Sequence, residues 1–262
     1  MQSKIILFVA GFYIQLTFLP TEYVYMQQIC LNQIIFVYKG FIVKENNQTI
    51  DFTINIMESG HQLHEIRGKQ LSSYITLMSK KHSLKELTTY YYVGVSAFSH
   101  ILNFIVTNLI MKNGGFTLHA SASKVGKDEC YIFLGPSGAG KSTIVSLLYP
   151  HKILADDRIF IRYESGRFFA YQSTFISKSG LFNPSPKRYK IKKMLFLKQA
   201  SVNRLDVIER KQELLSLILG QIVTEETGQE KKAISNVTNF IHNGPQGLYL
   251  SFKKSREVQR IL

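Results

Sequence analysis

The sequence contains few cysteines. Only two of its 262 residues are cysteine, Cys30 and Cys130, and their wide separation matches no metal-binding or redox spacing. We therefore expect two buried, reduced thiols in a cytoplasmic protein. His61 and His64 have no candidate partner ligands close by in the sequence, so they predict a polar surface turn and not a metal site.

Acidic side chains are also scarce, with 18 against 32 basic ones, which gives a net charge of +14. A basic surface attracts nucleic acid, anionic membranes or nucleotides. The densest basic stretch, PKRYKIKKM at residues 186–194, predicts a loop and strand edge with a solvated basic face. The chain has no zinc finger, RNA-binding signature or basic zipper, so charge alone motivates the alternative of a nucleic-acid partner.

Long uninterrupted hydrophobic runs are missing. The apolar stretch at residues 4–20 is interrupted at Gly11, Gln15 and Thr17. It carries a single lysine and lacks an A-x-A-like cleavage site, so it does not predict a signal peptide. Because this stretch is also short for a membrane span, we predict a pair of strands that bend near Gly11. Residues 97–111 contain several polar side chains and predict a soluble helix. We expect no membrane span.

The remaining composition, 45% hydrophobic and 19% charged, is typical of a packed globular protein. We predict a strand-rich N-terminal region at residues 1–92 and a second domain at residues 93–262. The strands predicted in the first region are KIILFVA, FYIQLTF, IIFVYKGFIV, TIDFTINI and a segment around Ser73–Met78.

The second region alternates strands and helices, which indicates the α/β class. Its first helix ends at Asn113-Gly114-Gly115. A β-hairpin is expected around Ser165-Gly166, between RIFIRYE and RFFAYQSTF. The other predicted elements are the strands FTLHASAS, ECYIFLG, KILADD and KMLFLKQA, and the helices KSTIVSLLY and LDVIERKQELLSLILG.

A glycine-rich motif of the form G-x-x-x-x-G-K-[ST] lies between a predicted strand and a predicted helix. Backbone N–H groups of such a loop, together with the start of the following helix, surround phosphate groups. Lys141 can reach the β- and γ-phosphates, and the Ser142 hydroxyl can bind Mg²⁺. The predicted nucleotide-binding residues are Gly135, Pro136, Ser137, Gly138, Ala139, Gly140, Lys141, Ser142 and Thr143.

Two adjacent carboxylates, Asp156 and Asp157, end the short strand that follows the glycine loop. Such a pair is costly to place together unless a cation such as nucleotide-bound Mg²⁺ lies nearby. One carboxylate would serve the metal and the other would accept a proton from an attacking hydroxyl. A polar turn that caps the strand is the alternative. His119, upstream of the loop, can hydrogen-bond a carboxylate, or it can be a structural histidine.

These segments together resemble the HPr kinase/phosphorylase family. The resemblance rests on LHASA (118–122), IFLGPSGAGKST (132–143) and LADDR (154–158), in this order and at short spacing. It implies an α/β P-loop kinase core similar to HPr kinase and to ATP-dependent PEP carboxykinase, preceded by the strand-rich region.

The resemblance also implies roles for individual residues. His119 would support the acidic pair, Ser142 and Asp156 would serve Mg²⁺, and Asp157 would be the general base. With Lys141, His119 and Asp157 form the predicted catalytic set. The implied reaction transfers the γ-phosphoryl group of ATP to a seryl hydroxyl of a protein or peptide. The HPr kinases are hexamers, and an oligomer is compatible with this sequence.

The chain also departs from that family. No acidic residue lies between Glu164 and Asp206, where HPr kinases carry a further Mg²⁺-binding glutamate, and their C-terminal signature is absent. An acceptor other than HPr, a non-catalytic ATP-binding regulatory module and another P-loop NTPase are therefore open alternatives. A guanylate kinase is disfavoured because 134 residues precede the loop, and a transporter ATPase because no LSGGQ-like signature follows it.

Overall fold

The computed structural model describes residues 3–57, 79–89, 94–148, 153–174 and 184–262. The strand predicted around Ser73–Met78 and the pair His61 and His64 lie outside these residues. The chain forms two compact units, the first mainly Met1–Val106 and the second mainly Thr107–Ser173 and Lys187–Leu262. The described residues are a mixed α/β structure, as the sequence predicts at the level of class. The division after residue 92 stays a prediction.

The first unit contains a six-stranded sheet with the order β3-β1-β2-β4-β6-β5. Its strands are β1 (Ser3–Val9), β2 (Phe12–Phe18), β3 (Ile42–Val43), β4 (Phe52–Ile56), β5 (Ser79–Ser83) and β6 (Glu86–Thr89). Strands β1 and β2 form an antiparallel hairpin whose turn residues, Ala10 and Gly11, both have positive φ. Such φ values match the right-handed twist of the flanking strands. The predicted bend near Gly11 is confirmed.

The strand predicted for IIFVYKGFIV is mostly wrong. Its first half completes helix α1 (Val24–Tyr38), and only its last two residues form β3. The buried residues of α1 are Cys30, Ile34 and Tyr38, which recur every four residues on one helical face. Strand propensity is weaker than such packing, so β-branched and aromatic content misled the prediction.

Helix α2 (Val95–Lys112) confirms the helix predicted for residues 97–111, and the boundary at Val106 between the two units falls within it. By length and composition α2 could cross a membrane, but 61% of this apolar stretch is buried within the structure. The core helix of a folded domain shows the same burial.

The second unit contains a ten-stranded mixed sheet. Eight strands follow the order β10-β8-β9-β13-β12-β11-β7-β15, and β14 and β16 extend it beside β13. The strands are β7 (Phe116–His119), β8 (Ser121–Lys124), β9 (Glu129–Leu134), β10 (Ile153–Ala155), β11 (Arg158–Glu164), β12 (Arg167–Gln172), β13 (Arg188–Gln199), β14 (Arg204–Val207), β15 (Ile222–Val223) and β16 (Gly247–Phe252). The helices are α3 (Lys141–Leu148), α4 (Lys211–Leu219), α5 (Glu230–Asn243) and a 3₁₀ helix (Arg256–Ile261).

Strand β13 organises this sheet because it is long enough to have three neighbours. It runs parallel to β9 on one side, and on the other it pairs first with antiparallel β12 and then with parallel β16. The basic stretch at residues 186–194 therefore enters a central strand, and its predicted position at an edge is wrong. The solvated basic face is confirmed, since Arg188, Lys190 and Lys192 are exposed and alternate with buried Tyr189 and Ile191.

Two further predictions for this unit need correction. FTLHASAS is divided at Ala120 into β7 and β8, which pair with different neighbours. The helix predicted from residue 205 begins only at Lys211, because Arg204–Val207 is strand β14, antiparallel to β16. The hairpin of β11 and β12 is confirmed, with Ser165 and Gly166 at positive φ.

An apolar cluster in the second unit lies beneath the glycine loop. The cluster that supports the glycine loop packs α3 against β9, β13 and β16, through residues that include Ile144, Phe133, Leu195 and Phe252. All four are no more than 3% exposed. The start of α3 is therefore fixed against the middle of the sheet.

Candidate active site

The glycine loop connects the end of β9 to the start of α3. Gly138 and Gly140 have φ values of +82° and +95°, which side chains with a Cβ rarely adopt. A Cβ on Gly140 would lie 2.9 Å from Cζ of Phe252, whereas one on Gly138 would meet nothing within 4 Å. The loop is thus packed tightly against the core beneath it and leaves space at Gly138. This geometry suits a backbone that surrounds an anion.

Lys141 is the first residue of α3, and its ammonium group contacts the glycine loop. Its side chain is only 8% exposed, and Nζ donates to the carbonyl oxygens of Gly135 at 2.8 Å and Pro136 at 3.2 Å. Burial lowers the pKa of this ammonium, and the negative charge of Asp157 acts in the opposite direction.

The two aspartates form the whole connection between β10 and β11. The carbonyl oxygen of Asp156 accepts a hydrogen bond from Ser121 Oγ at 3.1 Å, and that of Asp157 accepts one from the Ala120 backbone N–H at 3.0 Å. These two bonds attach the β10–β11 connection to Ala120 and Ser121, where β7 has ended and β8 begins. The side chain of Asp157 is 51% exposed, so an acceptor can reach it.

His119 contacts Asp157, the second residue of the acidic pair. Its Nε2 lies 3.2 Å from Oδ1 of Asp157. The contact follows from strand register, because His119 at the end of β7 pairs with Arg158 at the start of β11. His119 therefore lies within ion-pair distance of a carboxylate, while the catalytic role of each partner stays a prediction.

A second ion pair holds the other side of Asp157, and sequence reasoning missed it. Arg158 Nε lies 3.8 Å from Oδ2 of Asp157, and Arg158 Nη1 donates to Oε1 of Glu225 at 2.7 Å. Arg158 and Glu225 are only 18% and 17% exposed. Strand β15 brings Glu225 here by pairing with β7. No local signal marks this glutamate, which is 67 residues from its partner.

Gln199 is another residue that the sequence did not indicate. At the end of β13, its Nε2 donates to the carbonyl oxygen of Gly138 at 2.8 Å. The parallel strands β9, β13 and β16 all end at this edge of the sheet. Ligands of open α/β sheets bind outside the carboxyl ends of parallel strands. The glycine loop and Gln199 thus stand where a ligand is expected.

The residues present fit ATP and Mg²⁺. No cluster of three histidine, cysteine, aspartate or glutamate side chains occurs among the described residues, so a metal site made of protein ligands alone is not found there. Magnesium in nucleotide sites usually has only one or two carboxylates, with phosphate oxygens and water completing its shell. Ser142, exposed at the second position of α3, and Asp156 have the required oxygen donors. The predicted metal role of both stays a prediction.

No protein-family model and no curated protein matches the chain. Among solved structures, the Hpr(Ser) kinase/phosphatase from Coxiella burnetii is similar at 12% identity and a TM-score of 0.29. The match covers 55% of this chain and 90% of that one. At this TM-score the match carries no argument, so the assignment of function rests on the site itself.

Proposed function

We propose that this protein is an ATP-dependent phosphotransferase that phosphorylates a seryl hydroxyl of a protein or peptide in the cytoplasm. The observation that carries the proposal is that His119 and Arg158 hold Asp157, whose negative charge also acts on the pKa of the glycine-loop Lys141. A loop alone would support nucleotide binding of any kind. A partly exposed carboxylate that two neighbours orient adds a candidate proton acceptor.

The proposed reaction has one chemical step. The acceptor oxygen forms a bond to the γ-phosphorus as the bond from that phosphorus to the β–γ bridging oxygen breaks. Asp157 takes the proton of the hydroxyl, and ADP is released. Lys141 exchanges its contacts with the Gly135 and Pro136 carbonyls for the phosphate oxygens, which are better partners for an ammonium. A Mg²⁺ ion held by Ser142 and Asp156 would neutralise charge on the phosphates.

His119 and Arg158 have positioning roles in this proposal. They approach different oxygens of Asp157, so together they restrict rotation of the carboxylate. Glu225 in turn fixes Arg158. A general base has to be held within hydrogen-bonding distance of the proton it abstracts, and this network supplies that constraint.

The test is transfer of radiolabelled γ-phosphate to a library of serine peptides, with the same library carrying alanine for serine as the acceptor control. Asp157→Asn should lower transfer by at least about a hundredfold, the usual scale for loss of a general base. ATP binding should be retained, because the loop and Lys141 are unchanged. Asp128→Asn, the same substitution at an exposed turn at the opposite end of β9, should match the wild type.

Equal transfer by the wild type and Asp157→Asn would remove Asp157 from the proposed role. Tight ATP binding by the wild type without transfer to any serine peptide would instead support the non-catalytic regulatory module. The two outcomes are separable because binding and transfer are measured on the same preparations.

A further inference from the structure

Helix α1 of the first unit exposes a concentration of large hydrophobic side chains. Eleven such side chains are exposed among the described residues, and six of them lie in this helix or directly before it: Tyr23, Val24, Tyr25, Met26, Ile35 and Phe36. Tyr25 and Phe36 are 78% and 77% exposed. Single exposed apolar residues are ordinary, whereas a cluster of them marks a surface that another molecule covers.

The helix carries apolar side chains on both of its faces. Its inner face, with Cys30, Ile34 and Tyr38, is buried within the protein. No charged side chain occurs from residue 23 through residue 38, so the outer face has no charge either. A surface helix normally has charged residues on its solvent side, and a helix that is apolar all round is normally buried. The outer face of α1 is therefore suited to contact a second uncharged surface.

The order of residues along the outer face is symmetric. The exposed residues that form one stripe, at the helical spacing of three or four positions, are Tyr25, Gln28, Asn32, Ile35 and Phe36. Read in either direction, this stripe runs from apolar to carboxamide, carboxamide and apolar. An antiparallel pair of such helices centred near residue 30 would place Tyr25 of one copy against Ile35 and Phe36 of the other. Gln28 would then lie opposite Asn32. This self-complementarity is what a contact across a two-fold axis requires.

The polar and charged residues favour the same antiparallel arrangement. Within one chain, Gln28 Nε2 donates to Asn32 Oδ1 at 3.0 Å, and both carboxamides can also bond across the pair and so fix its register. Exposed Glu22 and Lys39 lie at opposite ends of the helix. An antiparallel pair brings Glu22 of one copy close to Lys39 of the other at both ends, whereas a parallel pair would bring like charges together.

From these observations we infer that α1 is a dimerisation helix, whose outer face binds α1 of a second copy of this chain in an antiparallel, two-fold arrangement. The inference does not depend on the proposed phosphotransferase activity. With a net charge of +14, two copies repel each other in general, so an uncharged face is where they can approach most closely. A helix of 15 residues is only about 22 Å long, and standard interfaces bury about 800 Å² per partner. We therefore expect a reversible dimer with a Kd in the micromolar range.

The experiment is sedimentation equilibrium of the full chain over a range of about 1 to 300 µM, which brackets the expected Kd. Phe36→Asp should weaken dimerisation by at least about a hundredfold, because it buries a charge against an apolar surface. Leu84→Asp, at a 71% exposed residue of the same unit, is the matched control and should dimerise as the wild type does. Glu22→Lys and Lys39→Glu should each weaken the dimer by about tenfold, since each creates a repulsive contact at both ends. The double variant should restore the wild-type Kd.

A wild type that stays monomeric over the whole range would overturn the inference, and so would a dimer that Phe36→Asp leaves intact. Failure of the double charge variant to restore dimerisation would overturn the antiparallel arrangement. A monomeric wild type that co-sediments with phosphatidylcholine vesicles, and loses this binding in Phe36→Asp, would overturn the inference in favour of a membrane surface. Circular dichroism of each variant checks that the fold is retained.

Discussion

Gly140→Ala should destabilise the protein for two separable reasons. The first is backbone conformation, because φ is +95° at this position. A residue with a Cβ in the left-handed region costs about 1–2 kcal/mol. The second is steric, because the new methyl group would lie 2.9 Å from Cζ of Phe252, a ring that is only 3% exposed. Overpacking of a well-filled core costs about 1–3 kcal/mol.

We therefore expect Gly140→Ala to lower the free energy of unfolding by about 2–5 kcal/mol in total. Gly138→Ala isolates the backbone contribution, because its φ is +82° and its Cβ would meet nothing within 4 Å. That variant should lose only about 1–2 kcal/mol. The difference between the two variants measures the contact with Phe252.

The assay is equilibrium unfolding in urea followed by circular dichroism, in a double-mutant cycle with Phe252→Leu. The shorter leucine side chain removes Cζ, so Gly140→Ala made in that background should cost no more than Gly138→Ala does in the wild type. An identical cost of Gly140→Ala in both backgrounds would refute the assignment of the steric contribution to Phe252. A negligible cost in either background would refute the loop geometry itself.

Two further predictions concern single residues. Glu225→Gln should lower the free energy of unfolding by about 1.5–3 kcal/mol, the value of a charge-assisted hydrogen bond. It should also reduce phosphoryl transfer, because Glu225 holds Arg158, which in turn holds Asp157. Glu209→Gln, at an exposed glutamate, is the control in both assays, and full retention of transfer by Glu225→Gln would contradict the positioning role. Burial raises the pKa of the Cys130 thiol to about 12, so we expect no alkylation of Cys130 by iodoacetamide at pH 8 until denaturant is added, and rapid labelling of the native protein would contradict its burial.

The parts of the site that could be predicted are those whose signals are local. The glycines, Lys141 and the aspartates lie within 23 positions of one another in the sequence, and each has a motif or composition that points to phosphate or metal chemistry. Their placement at one edge follows from the strand–loop–helix order, which the sequence also indicates. His119 could be associated with them because it lies upstream of the loop, but its position at the end of β7 depends on the break at Ala120, which the sequence did not indicate.

The parts that could not be predicted depend on which strands become neighbours. Glu225 and Gln199 reach the site because β15 pairs with β7 and because β13 is parallel to β9, and pairing across such distances leaves no periodic signal. The errors at α1 and β14 have a related cause. Short apolar segments fit either a helix or a strand, and their neighbours in the fold decide between the two.

The connection between β10 and β11 is only two residues long, and both of them are the candidate metal and proton acceptors. This part of the chain therefore has no spare length. Inserting or deleting one residue between Ala155 and Arg158 would rotate the carboxylates away from His119 or break the pairing of β11 with β7. The hairpin turn at Ser165-Gly166 carries no such chemistry, so this region of the protein can gain or lose residues there and not at the aspartates.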